Sequence, residues 1–172
     1  MFQDLPTSKR LQYLPPSKHL DDGVYQVYSE EQTMQFIPFL CRMAPDAWAA
    51  RRESHRSMWA NGTGAFFDIV EPESGEVVGT SGFRVIDLSA GDGEWGVVLS
   101  SKWHGRGFCN EIHDACMKWA ARQGLHTTTA MTWETNTRMI TLLERYGWKY
   151  TQTKTNELGI WREYAFSIKA NE

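Results

Sequence analysis

The sequence feature that most constrains the fold is a junction between an apolar strand and a helix within residues 93–123. The strand pattern E-W-G-V-V-L-S-S leads into the hexad K-W-H-G-R-G, and an amphipathic helix pattern follows at once. Backbone N–H groups at the start of a helix have no partner inside the helix. A glycine-bearing loop at that point therefore predicts a binding site for a phosphate or pyrophosphate.

The segments around this junction predict a mixed sheet. A Thr-rich strand pattern at residues 125–133 follows the helix, and a strand–helix–strand connection makes its two strands parallel. The remaining strand patterns cover 10–14, 65–71, 76–87, 148–155 and 159–168, and the helix patterns cover 19–28, 45–61, 108–123 and 136–146. We expect an α+β fold, a mixed α/β sheet of about seven strands, mostly antiparallel with a central parallel pair and flanked by about four helices.

The composition indicates one packed domain, which we expect to span residues 1–172. A chain of 172 residues with 41% hydrophobic residues buries about 70% of its unfolded surface. The net charge of −3 offers no general attraction to nucleic acid or to anionic membranes, and no apolar run reaches membrane-spanning length. Three cysteines without a C-x-x-C pair, and no signal-peptide pattern, predict a cytoplasmic protein with reduced thiols.

Two glycine-rich signals point to different ligands. Residues 91–96, G-D-G-E-W-G, match a dinucleotide-binding pattern, but they precede a strand instead of joining a strand to a helix. The hexad has the right context, yet Phe108 and Cys109 stand where a nucleotide-binding P-loop has Lys and Ser or Thr, so no hydroxyl is placed for magnesium. No histidine pair has metal-ligand spacing with a third partner. We therefore expect a phosphate that is bound without a metal.

The hexad resembles the [Q/R]-x-x-G-x-[G/A] pyrophosphate loop of the GNAT superfamily of acetyl-CoA-dependent N-acyltransferases, with Lys102 in place of Gln or Arg. Residues 136–148, N-T-R-M-I-T-L-L-E-R-Y-G-W, resemble the N-x-x-S-x-x-x-x-x-x-x-G-F segment of the RimJ/RimL-type branch. Met139 replaces the small residue of that segment and Trp148 replaces its Phe. The order of elements is similar over nearly the whole chain. The resemblance implies a GNAT fold and N-acetyltransferase activity.

By this resemblance the cosubstrate is acetyl-CoA. The backbone amides of residues 104–109 would bind its pyrophosphate, and residues 97–99 would pair with its pantetheine arm as with a guest strand. Asn136 would hydrogen-bond the same arm, and two cationic side chains would contact phosphate oxygens. The implied cofactor-binding residues are Val97, Val98, Leu99, Lys102, His104, Gly105, Arg106, Gly107, Phe108, Cys109 and Asn136.

The implied reaction is the direct attack of an amine on a thioester. Deprotonating a lysine-like amine at neutral pH costs about 4–5 kcal/mol, so a base is required, acting through water. Glu94, at the start of the central strand, is the first candidate for this base, and Glu134 is the second. Glu94 can instead be a solvent-exposed carboxylate at the end of a strand. Many relatives have a Tyr at the position of Leu143 that protonates the leaving thiolate; the nearest alternative hydroxyl is that of Tyr146.

The sequence leaves the acceptor amine open. It can be a small-molecule amine such as a polyamine, an aminosugar or an amino acid, or a protein N-terminus. Carboxylates and aromatic rings in the first half of the chain favour a cationic small molecule, through ion pairing and cation–π contact. The candidate acceptor residues are Asp68, Trp59 and Trp133, with Glu30 and Glu31 as further carboxylates. Asp68 can also be the outward residue of an alternating strand, and the Trp residues can belong to the core.

A second hypothesis belongs to a different functional class. A GNAT-fold protein that binds acyl-CoA as a sensor or scaffold would need no proton donor, and Leu143 keeps this reading open. For either function we expect no nucleic acid, membrane or metal partner, and a homodimer is allowed.

Overall fold

The computed structural model describes residue 2 and residues 4–169. In these residues the strands form one sheet with the order β1-β2-β3-β4-β5-β7-β6. The strands are β1 (Gln12–Leu14), β2 (Ala65–Val70), β3 (Val77–Asp87), β4 (Asp92–Leu99), β5 (Thr127–Trp133), β6 (Lys149–Asn156) and β7 (Gly159–Ser167). The α-helices are α1 (Asp21–Ser29), α2 (Pro45–Asn61), α3 (Phe108–Arg122) and α4 (Thr137–Arg145). The ends of the expected 1–172 domain lie outside the described residues.

The sheet is antiparallel except at its centre, where β4 and β5 run parallel with Glu94 opposite Thr129. Helix α3 is the crossover that joins these two strands. The predicted fold class, with its central parallel pair, is confirmed. None of the helices in the described part of the chain has the length and apolar content that crossing a bilayer requires.

Helix and strand ends differ from the sequence predictions where local hydrogen bonds decide them. Residues 18–20 form a separate 3₁₀ turn before α1, which therefore begins at Asp21. Strand β5 begins at Thr127, not Leu125, because the Leu125 N–H still donates to Ala120 O at the end of α3. Helix α2 ends as predicted, and Gly62 closes it at φ +72°, a conformation that glycine adopts at little cost.

Two apolar cores pack against the sheet. The larger one buries α3 and α4, and the predicted α3 stripe is wholly within it: Phe108, Ile112, Ala115, Cys116 and Trp119. The smaller one packs α1 and the start of α2, and its buried members are Val24, Val27, Tyr28, Met34, Trp48, Val70 and Val77. Each large apolar side chain buried in this way contributes about 1.5–3 kcal/mol.

A buried ion pair joins α2 to the sheet. Arg52 donates to both oxygens of Asp68 on β2, at 2.9 and 2.6 Å, and each side chain is only 1% exposed. The same guanidinium donates through Nε to Asp21 on α1, at 2.5 Å. Asp68, predicted as a contact for the acceptor, therefore has both oxygens bound by Arg52. The pair fixes three elements to one another.

We expect Asp68→Ala to lower the free energy of unfolding by about 3–5 kcal/mol, because it leaves the Arg52 charge buried without its main partner. Urea denaturation measures this change. Glu31→Ala is the control: it removes an ion pair with Arg42 in which the side chains are 74% and 63% exposed, and we expect a loss below about 1 kcal/mol. Equal losses in the two variants would contradict a structural role for the buried pair.

Candidate active site

The loop of residues 102–107, here called the glycine loop, turns the chain from β4 into α3. The N–H groups of Trp103 and His104 donate to Ser100 O and Ser101 O, at 2.9 and 3.2 Å. The two glycines then take left-handed conformations, with φ +74° at Gly105 and +77° at Gly107. Side chains other than that of glycine are strained there, so the glycines permit the tight turn.

The glycine loop leaves a row of free backbone donors. In the described part of the chain, the N–H groups of residues 105–110 have no hydrogen-bond acceptor. They lie at the N-terminal end of α3, where the helix dipole favours an anion. A Cβ atom at Gly105 would meet no heavy atom within 4 Å, so the space there is open. These groups fit a pyrophosphate.

A first cavity, of about 750 Å³, extends from the glycine loop along β4 to the start of α4. The structure brings most of the predicted cofactor-binding residues together on its wall: Val97, Val98, Leu99, His104, Gly105, Gly107, Phe108, Cys109 and Asn136. The two predicted cations are placed differently. Lys102 donates to Glu76 at 2.7 Å, and the Arg106 guanidinium lies over the Trp103 ring, 4.9 Å from its centroid.

One backbone edge of β4 is open to this cavity. The other edge is paired with β3 from Arg84 opposite Glu94 to Gly79 opposite Leu99. The parallel partner β5 is in register with β4 at Glu94 and Thr129, and beyond that point both strands line the first cavity. An extended ligand could therefore add to β4 as a strand does.

Asn136 caps α4 beside the open edge. Its Oδ1 accepts a hydrogen bond from the Met139 N–H at 3.3 Å, which leaves its amide NH₂ group to donate. Met139 and Leu143 from the same helix also line the first cavity. This arrangement agrees with the role that the resemblance implies for Asn136.

A second cavity, of about 470 Å³, adjoins the first where the two share the walls formed by residues 95–98 and Met131. Gly96 lies at this junction, and a Cβ atom there would meet nothing within 4 Å. The second cavity is bounded on its far side by α2, through Arg51, Arg52 and His55. The two cavities are therefore neighbours, and they connect beside β4 and β5.

Of the predicted bases, Glu94 lies at a cavity. It lines the second cavity, its side chain is 24% exposed, and its two oxygens accept from Arg84 at 2.8 and 3.0 Å. Glu134 lines neither cavity; it lies in the turn after β5, where its N–H donates to Ile160 O. Of the two carboxylates that were candidates for the base, only Glu94 therefore lies at a cavity.

The predicted proton donor and acceptor aromatics are dispersed. The Tyr146 hydroxyl donates to Asn110 O at 3.4 Å and its ring lies 3.9 Å from that of His113, so it faces α3 and lines neither cavity. Burial raises the pKa of this hydroxyl. Trp59 packs on Phe67 in the larger core and also lines neither cavity. Trp133 lines the first cavity, not the second.

Sequence reasoning gave no role to Arg51 and His55, which lie four positions apart on α2 and both line the second cavity. Helical spacing was the available signal, since residues at i and i+4 share a face. The His55 ring stacks on Phe66 with centroids 3.9 Å apart. Burial, and then the neighbouring Arg51, lower the pKa of His55 to about 3, so its imidazole is neutral near pH 7.

Arg10 braces the glycine loop from the start of the chain. Its backbone N–H and its Nε each donate to the Glu111 carboxylate at 2.7 Å, and its Nη1 donates to Arg106 O at 3.0 Å. The guanidinium also lies over the Phe108 ring, 4.2 Å from the centroid. Arg10 thus holds both the loop and the first turn of α3.

Residues 10–149 match the family model of the acetyltransferase (GNAT) domain. The chain belongs to the GNAT acetyltransferase family. It is therefore an acetyl-CoA-dependent N-acetyltransferase by family, as the glycine loop and the segment from Asn136 predicted. No curated protein is a match for this sequence.

Solved structures share the GNAT fold over almost the whole chain. RimL, a ribosomal L7/L12 alpha-N-protein acetyltransferase in complex with coenzyme A, is 15% identical and has a TM-score of 0.85, covering 97% of this chain and 99% of its own. The microcin C7 self-immunity acetyltransferase MccE, in complex with acetyl-CoA and AMP, is 13% identical with a TM-score of 0.80 and 93% of each chain covered. A ribosomal-protein-S5-alanine acetyltransferase from Vibrio fischeri is 14% identical, with a TM-score of 0.77 and coverage of 96% and 97%. RimL among them agrees with the predicted RimJ/RimL-type branch.

We expect Arg10→Ala to weaken coenzyme A binding about 3- to 10-fold, because the loop and the first α3 turn lose a charge-assisted brace. Isothermal titration calorimetry with coenzyme A measures this. Arg122→Ala is the matched control, since Arg122 joins the other end of α3 to Asp4 at 2.7 Å, away from the loop. The same loss of affinity in both variants would show that the effect is general destabilisation.

Proposed function

We propose that this GNAT protein moves the acetyl group of acetyl-CoA to a primary amine by direct attack, without a covalent enzyme intermediate. The observation that carries this proposal is the meeting of two cavities at the open edge of β4, one of which ends at the free N–H groups of the glycine loop. The first cavity would hold the cosubstrate and the second the amine. Proteins of similar fold bind such a cosubstrate: RimL was solved with coenzyme A and MccE with acetyl-CoA.

The glycine loop would hold the pyrophosphate, and the β4 edge and Asn136 would hold the pantetheine arm. The thioester would then lie near Gly96, where the cavities join. This placement brings the two reactants into one reacting geometry and removes the entropic cost of a bimolecular encounter at the chemical step. Lys102 and Arg106 would contact phosphate oxygens of the cosubstrate. To do so, Lys102 would have to leave Glu76 and Arg106 would have to leave the Trp103 ring.

In the proposed reaction the amine nitrogen attacks the thioester carbonyl carbon, the new C–N bond forms and the C–S bond breaks. A proton of the amine passes through water to Glu94, the candidate base at the second cavity. The sulfur leaves as a thiolate and takes a proton from solvent. A thiol of pKa near 8.5 is a better leaving group than an amine of pKa about 10.4, so the reaction can proceed without a Tyr at Leu143.

The acceptor class spans small-molecule amines and protein N-termini. The names of RimL and of the Vibrio fischeri enzyme connect similar folds with ribosomal proteins, which favours a protein N-terminus as one candidate. We propose a single domain over residues 1–172 that acts in the cytoplasm, where its three free cysteines stay reduced. The alternative is a non-catalytic acyl-CoA sensor or scaffold, which Leu143 and the orientation of Tyr146 favour.

An amine panel tests the transferase directly. With acetyl-CoA present, we expect acceptor-dependent release of free thiol for at least one of the polyamines, aminosugars, amino acids and peptides supplied. Gly105→Ala should abolish it, because a side chain would occupy the open space at the loop. Gly75→Ala is the matched control: its φ is +72° and a Cβ there also meets nothing within 4 Å, but it lies in the β2–β3 turn. Tight coenzyme A binding without thiol release from any amine would instead support the sensor.

Removing the base tests the assignment of Glu94. We expect Glu94→Gln to lower kcat about 10²- to 10⁴-fold and to leave coenzyme A affinity unchanged, because the amide cannot accept the proton. The loss should be greatest at low pH, where less of the amine is neutral. Glu134→Gln, which makes the same change outside both cavities, should retain the wild-type rate. A wild-type rate in Glu94→Gln would remove Glu94 as the base.

A further inference from the structure

The charged side chains that line the second cavity are unusual for a site that would accept an amine. In the described residues its lining includes three arginines, two carboxylates and one imidazole: Arg51, Arg52, Arg84, Asp68, Glu94 and His55. Cations outnumber carboxylates among them. The pairing of these groups decides which charge a ligand would meet.

Two of the three cations are already paired within the wall. Arg52 has Asp68 and Asp21 as partners, and Arg84 has Glu94. Both oxygens of Asp68 and of Glu94 accept from the paired guanidinium, so each pair contributes little net charge.

Arg51 is the cation that remains. In the described part of the chain it has no carboxylate within ion-pair distance, and its Nε is buried without a hydrogen-bond partner. Its contact is a ring: the guanidinium carbon lies 5.9 Å from the centroid of Tyr28. Since His55 is neutral near pH 7, it does not alter this balance. The cavity therefore carries one uncompensated positive charge.

The carboxylates that suggested a cationic acceptor from sequence are bound elsewhere. Glu30 accepts from Ser100 Oγ at 2.9 Å and from Thr33, which ties the segment after α1 to the end of β4. Glu31 pairs with Arg42 at 2.8 Å on the surface. Neither lines the second cavity. A polycation would thus meet repulsion from Arg51 without a free carboxylate to offset it.

A partly buried guanidinium with an unused N–H is favourable for an incoming oxyanion. The desolvation cost of the Arg51 Nε, which is buried without an acceptor, is present before binding. A carboxylate that reaches the guanidinium from the second cavity would supply charge-assisted contacts in a two-pronged geometry. The reactive amine of the same molecule would then point towards Gly96 and the first cavity.

We infer that the acceptor is an amine that carries a carboxylate, and that Arg51 binds this carboxylate. The inference rests on the proposed function and narrows its acceptor. The carboxylate can be the α-carboxylate of a free amino acid or an acidic side chain close to a peptide N-terminus. Arg51 is then the residue that determines acceptor specificity.

Matched acceptor pairs test the inference on the full chain with acetyl-CoA. One pair compares free amino acids with their α-amides, and a second compares C-terminally amidated peptides that begin with Asp or Glu with those that begin with Asn or Gln. Spermidine is included as a polycationic acceptor that has no carboxylate. We expect kcat/KM to favour the carboxylate member of one pair by about 10- to 100-fold, and the responding pair identifies the source of the carboxylate.

Arg51→Gln should reduce this preference to within about 3-fold. Arg51→Lys should retain part of it, because lysine keeps the positive charge but cannot donate two parallel hydrogen bonds to a carboxylate. Lys118→Gln is the control for net charge, since Lys118 is exposed on α3 and lines neither cavity. Coenzyme A affinity and the circular dichroism of each variant report whether it folds. If Arg51→Gln does not fold, the wild-type preference and the lysine variant decide the matter.

Calorimetric titration of the coenzyme A-bound protein with the same pairs separates the two proposals. Carboxylate binding that is lost in Arg51→Gln, without acetylation of any amine, supports the role of Arg51 and refutes the transferase. Acetylation of amides or spermidine as efficiently as of carboxylate-bearing amines refutes the inference and leaves the transferase intact. A preference that is unchanged in Arg51→Gln also refutes it.

Discussion

The parallel pairing of β4 with β5 is the constraint on which the rest of the structure depends. A parallel pair needs a crossover, so the chain must leave the sheet after β4, and α3 supplies the return. The turn into α3 produces the row of free N–H groups, and the pairing at Glu94 and Thr129 lets the two strands separate beyond it. One topological requirement therefore creates both the row of free N–H groups and the open strand edge.

Ion pairing decides which charges of the second cavity remain available to a ligand. Buried charges are stable only with partners, and Arg52 with Asp68 shows how such a pair can join helix to sheet and remove both charges from the ligand's environment. The more exposed Arg84–Glu94 pair joins β3 to β4 beside the second cavity and also offsets two opposite charges. Among the cations of this cavity, Arg51 has no carboxylate partner in the described residues, and we propose that recognition of the acceptor depends on it.

Much of the wall of the first cavity was predictable from the sequence because its signals are local. The strand, the glycine loop and the helix start are consecutive in sequence, and backbone groups supply the predicted contacts, so side-chain identity matters little there. Asn136 was recognisable for a similar reason, as the cap of the next helix. Of the second cavity, the sequence indicated Asp68 and Glu94 but neither their ion-pair partners nor Arg51, because these side chains come from separate elements and meet through the packing of α2 on the sheet.

The sequence by itself determined the order of the elements, the parallel centre of the sheet and the position of the glycine loop, since hydrophobic periodicity and glycine placement act over short range. Only the tertiary structure decided which charges are free. It bound Asp68 to Arg52 and Glu30 to Ser100, turned Tyr146 towards α3, and placed Arg51 at the second cavity with no carboxylate partner among the described residues. The physical reason is that the electrostatic role of a side chain depends on its partners and its exposure to water, and both are set by distant parts of the chain.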